Sequence, residues 1–138
     1  MNPISQNRNL KQLPEIFSQF PAVEVVFVFG SVARGKTHRD SDLDLGIEGD
    51  VEELETVRLD MLTELARHGF DRVDLVFLRQ VPPILAYEGV KDNRVVYVRD
   101  EADVGSVFSR YVRQYLDIKP YLRRHAKAYK ERATNGQT

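Results

Sequence analysis

The chain has 138 residues, 42% of them hydrophobic, with no cysteine and a formal net charge of −1. That length suits one domain around one core, and the charge balance nominates neither nucleic acid nor a membrane surface as a direct partner. The absence of cysteine excludes a disulfide framework and a thiolate metal site; the opening MNPISQNRNLKQLPEIF lacks the apolar core of a signal peptide, no run is long enough to span a bilayer, and the expected setting is the cytoplasm.

In chain order, Leu10, Leu13, Ile16 and Phe17 recur at helical spacing and predict a helix over about Asn7 to Phe20, closed by Pro21. Val23 to Phe29, VEVVFVF, is a β-branched and aromatic run without alternation, as in a strand covered on both faces. Residues 41–47, SDLDLGI, do alternate: Leu43, Leu45 and Ile47 fall on one face, Asp42, Asp44 and Gly46 on the other. Asp50 and Glu53 form a capping-box pattern ahead of an apolar stripe from Val51 to Leu65, with Gly69 placed as the C-terminal cap. Arg72 to Leu78 reads as a third strand, Pro82 and Pro83 open a short helical stretch toward Tyr87, and Arg94 to Asp100 is a fourth strand. From Glu101 to about Arg132 the chain is helical again, with a break expected near Pro120. Helices and strands interleave, so the expected class is α/β: a small mixed sheet of about four strands flanked by helices, residues 1–138 forming one domain.

Two features of this pattern carry chemistry. Asp42 and Asp44 share a strand face while Leu43 and Leu45 anchor the other. Like charges at that spacing repel, which solvent or a cation must relieve, and oxygen-only donors favour Mg²⁺, with Mn²⁺ also suited, over zinc. Asp74 alternates against Val73 and Leu75 in the next strand; if the strands lie side by side, the carboxylates of Asp42, Asp44 and Asp74 converge. Two ions roughly 3.5–4 Å apart would suit such a site, clamping the attacking and leaving oxygens of an in-line displacement. The second feature is GSVARG, Gly30 to Gly35, directly after a buried strand. A glycine turn opening a helix presents backbone N–H groups to an anion, and the Ser31 hydroxyl can add a donor. Gly30 through Lys36-Thr37 also satisfies the G-x-x-x-x-G-K-[ST] phosphate-loop spacing, although such loops run into a long helix and this chain returns to strand within a few residues. Lys36, His38 and Arg39 read as a hydrated loop, with steering of a triphosphate or a partner as the alternative, Asp40 as a flanking exposed acid, and His68 as a cation at a helix C-terminus.

The stretch GSVARGKTHRDSDLDL resembles the G-S-x-x-x-G…D-x-D signature of the DNA polymerase β-like nucleotidyltransferase superfamily. Its GSxARG turn, SDxDL strand and later lone aspartate are more narrowly similar to the minimal nucleotidyltransferase antitoxins of HEPN/MNT, type VII-like, toxin–antitoxin pairs. The resemblance implies that Gly30, Ser31, Arg34, Gly35 and Ser41 hold the nucleotide. It implies that Asp42 and Asp44 bind the metal pair, and that Asp74, the third acid, helps activate the acceptor hydroxyl. It also implies ATP as substrate, two Mg²⁺ ions, and AMP transfer to a tyrosine of a cognate HEPN RNase toxin, which silences it in a hetero-oligomer. Two other readings stay open: a non-catalytic antitoxin that acts by occlusion, and a small-molecule nucleotidyltransferase, a type that usually carries an additional substrate domain. The C-terminal helical segment, about residues 101–132, is rich in Arg, Lys and Tyr. It is either a partner-binding surface or a solvated helix whose tyrosines pack on the sheet.

Overall fold

The computed structural model describes residues 10–33 and 42–134, and for Ser31 and residues 128–134 the backbone alone. A 3₁₀ turn at Leu10–Gln12 leads into a short helix α1, Leu13–Phe17. Residues 1–9 lie outside the described residues; of the described part of the expected Asn7–Phe20 helix, Leu10–Phe17 is helical. Pro14 sits in the first turn of α1, where a missing N–H is tolerated, and Ser18 closes the helix by donating its hydroxyl to the Glu15 carbonyl.

Strand β1 spans Val23–Phe29, a four-residue helix α2 spans Gly30–Ala33, and β2 spans Leu43–Gly49. Helix α3, Val51–Arg67, carries the chain to β3, Val73–Phe77; α4, Pro83–Val90, carries it to β4, Val95–Val98; and α5 spans Val104–Thr134. The sheet order is β3-β2-β1-β4. β1 runs antiparallel to both β2 and β4, whereas β2 and β3 are parallel, as a crossover through α3 requires.

The lack of alternation in β1 has the expected cause. Val26 and Val28 join a core beneath α1 and α3, containing Leu13, Phe17, Leu54, Met61 and Leu65. Val25 and Phe27 face the opposite core, with Ala86 and Val90 of α4 and Val107 and Tyr111 of α5. In β2, Leu43, Leu45 and Ile47 all point into the first core, so Asp44 necessarily points to the other side. Asp50 caps α3 by accepting the Glu53 N–H at 3.0 Å, and Gly69 ends it with φ +93°.

The last helix differs from expectation at both points. It starts at Val104, not Glu101, because the Asp103 carboxylate takes both the N–H and the hydroxyl of Ser106. It also runs through Pro120 without a break. Proline removes one hydrogen bond and crowds the carbonyl four residues back; here Leu116 and Pro120 are both exposed, so water can take the released carbonyl. Among the described residues no helix is long and apolar enough to cross a membrane.

Candidate active site

The site is assembled at one end of the sheet. The parallel register sets Asp44 opposite Asp74, and the antiparallel register sets Asp44 opposite Phe29, the last residue of β1. Paired strand residues project to the same face of a sheet, on strands roughly 4.8 Å apart, so Asp44 and Asp74 are immediate neighbours. Asp42 lies just ahead of β2 at the same end, about half-exposed.

The electrostatics record this crowding. Burial first, then the charges of Asp74 and Asp42, hold the Asp44 carboxyl above its ordinary value. One cation is already present: Arg72 Nε lies 3.1 Å from Asp42 Oδ1, with both side chains more than half exposed. Among the described residues no set of three or more His, Cys, Asp or Glu side chains is closed into a ready ligand cluster. By donor type and charge, however, Asp44 and Asp74 suit a hard divalent cation, and Asp42 is of the same donor type, its present partner being Arg72. An ion pair this exposed is worth about 0–1 kcal/mol.

The glycine turn abuts the carboxylates. Gly30 has φ +75°, a left-handed conformation in which a side chain is strained. A Cβ there would also overlap the Asp44 Oδ2. Position 30 thus needs glycine twice over, once to leave β1 and once to let the turn come against Asp44. Ser31 is the second residue of α2. Arg34, Gly35 and Ser41, with Lys36, His38, Arg39 and Asp40, lie outside the described residues. His68 is taken up locally, its Nδ1 2.9 Å from the Glu64 carbonyl at the end of α3.

Several charged residues around the site were not signalled by the sequence. Arg58 of α3 stacks over the Phe77 ring, 4.2 Å from its centroid, and is hydrogen-bonded to Glu55 at 2.9 and 3.0 Å. Glu55 foremost, and Asp74 more weakly, raise the Arg58 pKa, which puts this cation within electrostatic reach of Asp74. Farther along β2, on the Asp44 face, Glu48 is fully buried. It accepts from Arg79 Nε at 2.8 Å, from Arg110 Nη1 at 2.7 Å and from the Tyr111 hydroxyl. The alternation of Asp44, Gly46 and Glu48 hinted at a shared face, but partners 31 and 62 residues away could not be read from spacing.

The sequence matches the family described as "Polymerase beta, Nucleotidyltransferase" over residues 11–102, from the 3₁₀ turn before α1 to the approach to α5. It is 26% identical over 104 residues to the protein adenylyltransferase MntA of Shewanella oneidensis, covering 75% of this chain and 72% of that one. The fold superimposes with TM-score 0.73 on a chain of a toxin–antitoxin crystal structure with AMP-PNP, at 20% identity, covering 88% of this chain and 98% of that one. A chain of the Shewanella oneidensis complex of tri-AMPylated HEPN toxin with MNT antitoxin gives TM-score 0.67 at 17% identity, with 91% and 98% covered. The chain belongs to the polymerase β-type nucleotidyltransferase family.

Proposed function

We propose that this chain transfers AMP from ATP to a tyrosine hydroxyl of a cognate HEPN-domain toxin and so neutralises it. The observation that carries the reading is the packing of Asp44 against both Asp74 and the Gly30 turn, within the stretch that the family match covers. A protein adenylyltransferase among the relatives, and AMP-PNP and an AMPylated HEPN toxin among the structural matches, favour AMP as the group moved and a toxin as the acceptor.

The chemistry follows from the residues. The acceptor hydroxyl oxygen attacks the α-phosphorus, the bond to the α–β bridging oxygen breaks, and pyrophosphate departs with the electron pair. Asp74, on the rim of the site, receives the hydroxyl proton. The backbone amides of Gly30 and Ser31, with Arg34, Gly35 and Ser41 from the following loop, hold the triphosphate. Asp42, Asp44 and Asp74 would hold divalent cations, Mg²⁺ or Mn²⁺, which when bound neutralise the phosphates and align the two oxygens.

The test is label transfer from α-labelled ATP to the co-expressed partner. The wild-type chain should label a single partner band, and the Asp42→Asn, Asp44→Asn double variant should not. Persistent labelling by the double variant would remove these carboxylates from the reaction. Occlusion remains as a second reading because α5 exposes Leu116 and Tyr121 to solvent, 54% and 57% accessible, on a helix that also carries much positive charge. Neutralisation of the toxin by the double variant at wild-type level would favour it.

A further inference from the structure

Arg72 has no part in the signature that located the acids, yet the sheet delivers it among them. Its carbonyl accepts the Leu43 N–H at 2.8 Å, which extends the parallel register of β2 and β3 one step beyond the pairing of Leu43 with Val73. Arg72 therefore sits beside Asp42 as Asp74 sits beside Asp44. Val73 packs against the first core, so its neighbours Arg72 and Asp74 project to the opposite face, that of Asp44. The side chains meet accordingly, with Arg72 Nε 3.1 Å from Asp42 Oδ1.

The result is a square patch, with Asp42 and Arg72 as its outer pair and Asp44 and Asp74 as its inner pair. Arg72 offsets Asp42, whose charge is one of those holding the Asp44 carboxyl up. Both partners of the outer pair are more than half exposed, so separating them buries and unburies nothing. An exposed pair of this kind favours the paired state by at most about fivefold, a margin that a doubly charged competitor can exceed. Arg58 differs in both respects. It lies over Phe77, whose side chain belongs to the first core, and its guanidinium bonds to Glu55 rather than to an acid of the site.

We propose that Arg72 is a placeholder cation: it holds Asp42 beside the other acids while no divalent ion is bound, and it gives up that carboxylate when an ion binds. The proposal rests on the metal-binding part of the nucleotidyltransferase reading and adds to it a positioning residue that acts through Asp42. The physical case is charge balance. Asp42 lies ahead of β2, outside the ladder, and without a counter-charge its repulsion from Asp44 and Asp74 favours turning it out to water. The guanidinium keeps it in the patch, ready as a ligand. The same pair competes with a bare ion for the carboxylate. An ion that arrives with a triphosphate brings oxygen ligands of its own and is less dependent on Asp42, so the placeholder favours the loaded nucleotide over the ion alone.

The test measures the ion directly. Binding of Mn²⁺ to the nucleotide-free chain, followed by the paramagnetic resonance of the unbound ion, is compared for the wild type, Arg72→Gln, Arg72→Lys and Arg58→Gln. Arg72→Gln should bind Mn²⁺ about three- to fivefold more tightly, because the ion no longer displaces a bonded cation. Arg72→Lys, which keeps the charge, should stay within about twofold of wild type, and so should Arg58→Gln, whose cation is bonded elsewhere. In the wild type the Arg72 Nε–H resonance should shift as Mg²⁺ is added; in Asp42→Asn it should begin at the shifted position and stay there. Wild-type affinity of Arg72→Gln for Mn²⁺ would overturn the proposal, as would an equal gain in Arg58→Gln or an Arg72 resonance that ignores Mg²⁺. A wild-type chain that binds no Mn²⁺ with or without an ATP analogue would remove the metal from the nucleotidyltransferase reading, and the placeholder role with it.

Discussion

At Asp44 stability and the proposed activity are opposed. Its folded-state pKa is raised above the ordinary carboxyl value of 3.8, so ionising it costs more in the folded chain than in the unfolded one. The sign follows. Below pH 3.8 both states are protonated at this group and there is no penalty; stability is lost as pH rises from there through the raised folded value, and the loss persists at neutral pH. Asp44→Asn removes the penalty. At pH 7 it should melt a few degrees above the wild-type chain, with the gap closing as pH falls toward 4, while AMP transfer is abolished. Mg²⁺ should raise the melting temperature of the wild-type chain and leave that of the variant unmoved. A variant less stable than wild type at pH 7 would show that Asp44 is held by contacts other than those crowding it. Gly30 is the opposite case, since a side chain there destabilises. Gly30→Ala meets both the left-handed backbone and the Asp44 carboxylate, and should cost about 1–2 kcal/mol for the backbone alone. Chemical denaturation measures that cost, and the same variant should lose ATP binding.

Among the elements, β2 does two jobs at its two ends. At Asp44 it bears the acids; four residues on, at Glu48, it fastens α5 and the segment after β3 to the sheet through Tyr111, Arg110 and Arg79. Burial, and then Glu48, push the Tyr111 phenol well above its ordinary pKa, so it remains a donor at every physiological pH. Removing one partner from a buried charged network costs about 3–5 kcal/mol when the rest stays unpaired. Here the two arginines are partly exposed and can turn to water, so Glu48→Ala should cost about 3 kcal/mol and Tyr111→Phe about 1 kcal/mol, read by denaturant titration. How much of this was legible follows from the range of each signal. Alternation is local, and it separated Asp42, Asp44 and Asp74 from Leu43, Leu45 and Leu75 correctly. Caps are local as well, so Asp50, Glu53 and Gly69 were readable. Register is not local. Nothing in the sequence set Asp74 opposite Asp44 rather than two residues off, and nothing tied Glu48 to Arg110. Pro120 misled for a related reason: its effect on a helix depends on whether the freed carbonyl faces water, which only the packing decides.

At the scale of the molecule the charge is unevenly placed. The whole chain is nearly neutral, yet from residue 113 to residue 127 α5 carries Arg113, Lys119, Arg123, Arg124 and Lys127 against Asp117 alone. The helix has 31 residues, roughly 46 Å at 1.5 Å per residue, longer than the domain needs to cover its sheet. Its first turns are committed to the core through Val107 and Tyr111, and Tyr115 stacks on Tyr87 of α4 with ring centroids 4.0 Å apart. Beyond that stack Leu116 and Tyr121 are exposed, and Arg124 lies over the Tyr121 ring at 4.7 Å. Apolar and aromatic groups ringed by cations are the composition of a protein interface, and the sheet has no further use for them. Reversing Arg113, Arg123 and Arg124 to Glu therefore separates docking from chemistry. Each exposed charge contributes about 0.5–1 kcal/mol to an acidic partner, so the triple variant should bind the toxin roughly 10- to 100-fold more weakly and lose its salt dependence. Binding of the ATP analogue should be unchanged, because none of the three is among the residues assigned to the nucleotide. AMP transfer should fall at limiting toxin and recover at saturating toxin, the signature of lost docking. A variant that still binds toxin with wild-type affinity would move the partner to another face of the domain, leaving the basic half of α5 as a solvated helix.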